Sequence, residues 1–419
     1  MKKKLNALSL SGLMVGPVLG SGIVVLPAMA YETLGDHALY AWIMVLLLGT
    51  GFAYVFTRMS MMSATNEGVS LMIGEALGER YRELSANCLT IAVCFGPVAV
   101  IQTAAGYMQS MLPEGVLAPL PAALLFMGVN VLVLLSGIRV MGSVMLVLSS
   151  LTAFVLTLGG AWSLISQGAA ALPPGLPDVK TLGSTLLILF WAIIGWEVVG
   201  NYVEDVSNPK RTLMRAMKAS AAAVALVYLV VTYALQSSPY AKGGGPAGLQ
   251  IIMVPLFGAS APYLLGAVAL ALCYLTILMV MGAVARQMAA RAQGGRLPAV
   301  FSQRPGSRAP VKAILMLTAV HLAVILLIQG RLLSLKDAVG IANTFFISNA
   351  LLGLAGAYRC MKGTWLKGII VILALCLASL LVFSPAAGLI LLVLAVLGTI
   401  GAEKLAKARK PAQGSSRGM

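Results

Sequence analysis

Two short runs hold residue types suited to recognising a small polar molecule inside an otherwise apolar chain. In the first, Gly16-Pro17-Val18-Leu19-Gly20-Ser21-Gly22-Ile23 places three glycines, a proline and a serine mid-way along an apolar stretch, with Pro27 following. A helix interrupted there frees the main-chain N–H groups of Gly20, Ser21 and Gly22 at the start of a half-helix, where the aligned peptide dipoles favour an anion such as a carboxylate. The alternative is a packing face, because small residues let membrane helices approach closely. In the second run, Phe190-Trp191-Ala192-Ile193-Ile194-Gly195-Trp196-Glu197, carbonyls freed at Ala192, Ile193 and Ile194 could accept from an ammonium group, and Trp191 could cap the site by stacking or apolar contact. Glu197 is a carboxylate at membrane depth, where charge is costly and faces a cavity or a partner. Its plainer role is to hydrogen-bond neighbouring helix ends and hold the unwound segment, and the two roles are compatible.

The elements that must position these runs follow from composition. Of 419 residues, 59% are hydrophobic and 10% charged, against about a quarter charged in an ordinary globular domain. A spanning helix needs roughly 20 mostly apolar residues. Such stretches recur at 7–31, 38–58, 86–112, 117–137, 141–166, 182–204, 214–236, 261–287, 312–330, 337–358, 366–383 and 386–403, which predicts an all-α polytopic membrane protein of about twelve spans. The broken runs fall in the first and sixth, the offset expected if spans one to five and six to ten form an inverted repeat. Two interrupted helices at corresponding positions mark a central site better than either alone.

A net charge of +16 could suggest nucleic acid, so the placement of the charges decides. With the N-terminus in the cytoplasm, all but Lys180, Lys242, Arg331 and Lys336 of the 29 Lys and Arg residues lie in internal loops and tails. That asymmetry orients a membrane protein with both ends inside, leaves contact with anionic lipid heads as a residual role, and excludes nucleic acid as partner. The run Lys2-Lys3-Lys4 before an apolar stretch mimics a signal peptide but lacks a small-residue cleavage site, so the first span is expected to stay. The basic, then Gly/Ser-rich stretch from Lys404 suits a short cytoplasmic tail. Cys88, Cys94, Cys273, Cys360 and Cys376 lie in or beside apolar segments without paired ligand spacing, and read as small core residues. The 22 methionines are scattered gap-fillers rather than a metal path. No His-Glu-x-x-His, Gly-x-Ser-x-Gly or P-loop pattern is present and only two histidines occur, so an enzyme is not expected, nor is a cofactor or metal.

The run from Gly16 to Pro27 resembles the first-helix Gly-Ser-Gly signature of the amino acid-polyamine-organocation transporter superfamily. Phe190 to Glu197 followed by Glu204-Asp205-Val206-Ser207-Asn208-Pro209-Lys210-Arg211 is similar to that family's sixth helix and its Asn-Pro-x-Arg element. Arg286 with Gly294-Gly295-Arg296-Leu297-Pro298 is similar to the end of its eighth helix. The resemblance implies a LeuT-type core of two inverted five-helix repeats plus two extra helices: residues 1–166 and 167–360 as the halves, 361–405 as the additional helices, and 406–419 as the tail. It also implies that Gly20, Ser21 and Gly22 receive an amino-acid carboxylate, that carbonyls near Ala192, Ile193 and Ile194 hold the ammonium, that Trp191 is an aromatic gate, and that Glu197 serves gating or proton coupling. The segment Phe95 to Tyr107 looks most like the branch exporting methionine and branched-chain amino acids. The sequence departs from the family pattern after span two, where Ser63-Ala64-Thr65-Asn66-Glu67-Gly68 replaces Pro-Ser-x-Gly-Gly. It departs again in span five, which has no lysine, and in span eight, which lacks adjacent hydroxyls near Gly282 to Ala285 for a sodium site. Protons through Glu197, or uncoupled exchange, remain as coupling modes.

Among other polar residues in apolar spans, Gln102 is a candidate substrate contact, and Thr103, Asn343, Thr344, Ser348 and Asn349 are candidates of equal standing with helix-to-helix hydrogen bonds. His321 reads as a buried, hydrogen-bonded histidine of a peripheral helix, although it could titrate near neutral pH. The resulting expectation is an inner-membrane carrier of small neutral amino acids working by alternating access, in which an apolar pocket around Ile23, Trp191 and Ile194 favours methionine, leucine, isoleucine or valine. The alternatives are a permease or exchanger for cationic amino acids or polyamines and, from another class, a channel or non-transporting membrane protein.

Overall fold

The computed structural model describes residues 5–20, 22–63, 65–113, 115–175, 177–193, 195–239, 248–302, 309–382 and 384–409, with side chains other than those of Trp191, Ile193, Ala402 and 404–409. Among the described residues every extended element is a helix. α1 (Ala7–Leu19) and α2 (Gly22–Leu34) are the two halves of one interrupted span. α3 (Ala38–Ser60) and a short α4 (Val69–Leu77) lead to α5 (Glu79–Ser110), α6 (Pro119–Ser136) and α7 (Ile138–Gln167). The sixth span is also interrupted: α8 (Val179–Leu189) tightens into a 3₁₀ turn over Phe190–Ile193, and a second 3₁₀ segment runs Trp196–Asp205. There follow α9 (Pro209–Ser237), a short α10 (Leu249–Phe257), α11 (Ala261–Gln293), α12 (Val311–Gln329), α13 (Leu335–Cys360), α14 (Thr364–Leu381) and α15 (Ala386–Arg409).

All twelve expected apolar stretches carry helix, and two short helices, α4 and α10, lie in connections read from the sequence as loops. α10 is apolar but, at 9 residues, too short to cross a bilayer. α5 begins at Glu79, a turn or more before the apolar run, because Arg82 pairs with Glu79 across that first polar turn at 3.3 Å.

α11 stands at the middle of the bundle. Its residues from Ile277 to Ala289 are all buried, as expected of a helix whose run to Ala285 is apolar on every side, and it packs on α1, α5 and α7. α5 also lies along α13, while α14 and α15 lean on α13 from outside. The outer surface is apolar: Leu47, Leu132, Ile165, Trp365 and Leu375 are all largely exposed. In water such a surface would drive association; in lipid it is the solvated one. This is a multi-pass membrane protein.

Candidate functional site

The first break follows from Gly20. Its N–H still bonds the Gly16 carbonyl at 2.7 Å, but its φ of +43° lies in the left-handed region that only glycine enters without strain. A Cβ there would stand 2.6 Å from the Pro17 oxygen. α1 therefore stops, and its last carbonyls need donors. The Tyr228 hydroxyl on α9 lies 3.3 Å from both the Val18 and Leu19 oxygens, and its ring stacks on Trp42 with centroids 4.1 Å apart. The second break turns at Gly195, φ +123°. Glu197 Oε2 accepts the Gly195 N–H at 2.8 Å, while Oε1 is buried with no partner among the described residues. The residue is 2% exposed. The carboxylate thus reaches back two residues and holds the unwound turn, the plainer of the roles expected for it.

Both breaks open onto one cavity of about 150 Å³, lined by Pro17, Val18, Leu19, Gly20 and Gly22 on one side and by Ala192 and Gly195 on another. α5 contributes Gly96, Pro97, Ala99, Val100 and Thr103; Thr276 and Val280 come from α11, and Val339, Ala342 and Phe346 from α13. The only polar side chains among these are the hydroxyls of Thr103 and Thr276, and among the described residues no charged side chain lines the space.

Of the residues singled out in the sequence, Gly20, Gly22 and Ala192 line the cavity. Ser21 and Ile194 lie outside the described residues, as do the side chains of Trp191 and Ile193, so those four expectations stay open. Ile23 is wholly buried in the helix packing and Gln102 is half-buried; neither is among the lining residues. Thr103, the neighbour of Gln102, does line the space, because the helical periodicity of α5 turns adjacent residues by about 100°. In α13, Asn349 accepts from Ser85 at 2.7 Å and Ser348 bonds back to Thr344, which are helix-to-helix and intrahelical roles. Gly96, Thr276, Val280, Ala342 and Phe346 were not singled out. Small and apolar residues in apolar spans carry no sign of whether they face lipid, a neighbour or a cavity.

One end of the bundle is tied by polar groups. Asn66 and Glu204 exchange backbone-to-side-chain bonds at 2.9 Å each, and Asn201 donates to the Asn66 carbonyl at 3.1 Å. The segment that departs from the family pattern after span two therefore makes its own polar closure. Arg286 pairs with Asp205 at 2.7 Å and lies over the Tyr202 ring. Glu67 takes Arg82 at 2.8 Å and Arg296 at 3.1 Å, and Glu83 takes Arg291 at 2.6 Å. The backbone of Leu5 pairs with Asp205 and Ser207 at 2.8 and 3.0 Å.

Two interrupted helices meeting at one cavity in an apolar bundle are the architecture of a multi-pass membrane transporter. The amino acid permease family model matches residues 5–399, and the chain belongs to that family. It is 25% identical over 372 residues to the L-methionine/branched-chain amino acid exporter YjeH of Escherichia coli (strain K12), covering 87% of this chain and 88% of that protein. It is 21% identical over 360 residues, 85% and 83% of the two chains, to the uncharacterized amino acid permease YecA of Bacillus subtilis (strain 168). A cadaverine/lysine antiporter of Escherichia coli (strain K12) is 25% identical over 341 residues, 78% and 75% of the two chains.

Proposed function

We propose that the chain carries small neutral amino acids with hydrophobic side chains across the inner membrane by alternating access, with both termini in the cytoplasm. The observation that carries this reading is the cavity shared by the two breaks, whose lining among the described residues offers main-chain groups, two hydroxyls and apolar surface but no charged side chain. A zwitterion needs an N–H donor set for its carboxylate and carbonyls for its ammonium, and half-helix ends supply both without a charged residue. In support, Gly22 begins α2 and Ala192 lines another side of the cavity, whereas the Gly20 N–H, expected to be free, is held by the Gly16 carbonyl and leaves the carboxylate to the start of α2. In this reading residues 1–166 and 167–360 form inverted halves, 361–405 add two helices, Trp191 and Ile194 complete the pocket, and Glu197 serves gating or proton coupling. The bilayer's anionic heads meet the basic loops. Methionine, leucine, isoleucine and valine fit a cavity of this size and polarity, and a diamine would find no carboxylate in it.

Uptake of labelled L-methionine and L-leucine into proteoliposomes preloaded with unlabelled amino acid, with and without a pH gradient, tests the proposal. Saturable, accelerated counterflow is expected, and the gradient arm reads proton coupling. Flux of cadaverine or lysine in place of neutral amino acids would move the substrate class to the polyamine and cationic side of the family, and sustained current without counterflow would indicate a channel. Gly22→Leu should abolish counterflow with the protein still in the membrane; retained flux would reject the carboxylate site.

A further inference from the structure

Pro97 lies inside α5. A proline has no N–H, so the carbonyl four residues earlier, that of Val93, loses its helical donor, and the ring pushes that turn open. Within lipid such a carbonyl must find another donor. His321 supplies it: its Nε2 lies 2.7 Å from the Val93 oxygen, reaching from the middle of α12, where the residue is wholly buried. A carbonyl only accepts, so Nε2 is the donor and carries a proton. Nδ1 is buried and has no partner among the described residues. The ring is therefore held for the sake of that one bond.

The bond acts on the cavity wall. Gly96, Pro97, Ala99 and Val100, all within about two turns of Val93, line the cavity, and His321 is not among the lining residues. Facing them on α13, a methyl on Gly96 would stand 3.2 Å from Ala342 Cβ and 3.4 Å from Phe346 Cε2. α5 and α13 are in van der Waals register there, so a change in the bend of α5 changes the width of the cavity.

We infer that His321 is a positioning residue for substrate recognition: by donating to the Val93 carbonyl that Pro97 leaves open, it fixes the bend of α5 and with it the shape of the cavity. This rests on the proposed reading of that cavity as the substrate site. Its sharpest consequence is conditional. Pro97→Ala restores a helical donor to Val93, and His321 should then cease to matter.

The experiment compares wild type, His321→Leu, His321→Gln, Pro97→Ala and the Pro97→Ala/His321→Leu double variant in proteoliposomes. It uses L-leucine, or cadaverine should the wild type carry that instead. His321→Leu should raise the half-saturation concentration about five- to tenfold, the scale of one lost intramembrane hydrogen bond, with the maximal rate per inserted protein little changed. His321→Gln, whose amide can donate to the same carbonyl, should recover most of the affinity. In the Pro97→Ala background the Leu substitution should change half-saturation less than about twofold. An unchanged half-saturation in His321→Leu overturns the inference, whether or not the amount of folded protein falls, and so does a loss that Pro97→Ala fails to relieve. Absence of neutral amino-acid flux in the wild type counts instead against the proposed substrate class, and the cadaverine arm still reads His321.

Discussion

Gly20 and Glu197 do different work at the two breaks, and single substitutions separate them. Gly20→Ala adds a Cβ 2.6 Å from the Pro17 oxygen at a φ of +43°, a strain of about 1–2 kcal/mol before the clash is counted. Counterflow should fall more than about tenfold while the protein remains in the membrane; a near-normal rate would remove the need for a left-handed turn at this position. Glu197→Gln is gentler. The amide oxygen can still accept the Gly195 N–H that Oε2 now holds at 2.8 Å, so the unwound turn should survive and counterflow should stay within about threefold of normal. Stimulation by a pH gradient should vanish if the carboxylate carries the coupled proton, and stimulation equal to wild type would leave Glu197 with its capping role alone. These two residues were legible because each breaks a rule of the surrounding sequence: glycines cluster where a helix should run, and a carboxylate sits where lipid should be. Thr276, Phe346 and Gly96 break no rule, since a threonine, a phenylalanine and a glycine are ordinary in a membrane helix. Gln102 stood out for polarity alone, and polarity does not say which way a helix is turned.

At the scale of elements, the apolar runs located the spans because a bilayer imposes one length on all of them. What they could not give was the partner of each interruption. The open carbonyls of α1 are met by Tyr228 from α9, some two hundred residues away, and a tyrosine in the run Val227-Tyr228-Leu229 has no local pattern to announce it. α4 and α10 escape the sequence pattern for the converse reason, each being only 9 residues long, too short to separate from a loop by periodicity. Tyr228→Phe keeps the ring on Trp42, whose centroid is 4.1 Å away, and removes only the hydroxyl. It should lower stability by about 1 kcal/mol, read as a drop of a few degrees in the melting temperature in detergent. It should also raise the half-saturation concentration, because the end of α1 loses its tether. A lowered melting temperature with unchanged half-saturation would make Tyr228 a packing residue without influence on the site.

The polar closure at one end of the molecule has two parts, and alternating access assigns them different fates. The pairs of Glu83 with Arg291 at 2.6 Å and Arg296 at 3.4 Å join the start of α5 to the end of α11 and the turn after it, while Glu67, before α4, takes Arg82 and Arg296 beside the bonds of Asn66 to the sixth span. The Asp205–Arg286 pair instead joins the end of the sixth span to α11, beside the backbone pairing of Leu5 with Asp205 and Ser207. If the first and sixth spans rock together against α5 and α11, the Asp205–Arg286 pair must part in each cycle and the α5–α11 pairs need not. Asp205→Asn leaves the Arg286 side chain, 5% exposed, without its counter-charge and should favour opening of this end. Glu83→Gln should cost stability, about 2–4 kcal/mol as a partly buried pair is broken, without favouring either state. A single cysteine at Val280, which lines the cavity, in a background lacking the five native cysteines gives the measurement. Maleimide applied from the side bearing Arg296 should label Asp205→Asn severalfold faster than the parent and Glu83→Gln at the parent's rate. The reverse pattern would mean that α5 and α11 part from each other during transport, and that the first and sixth spans move with one of them.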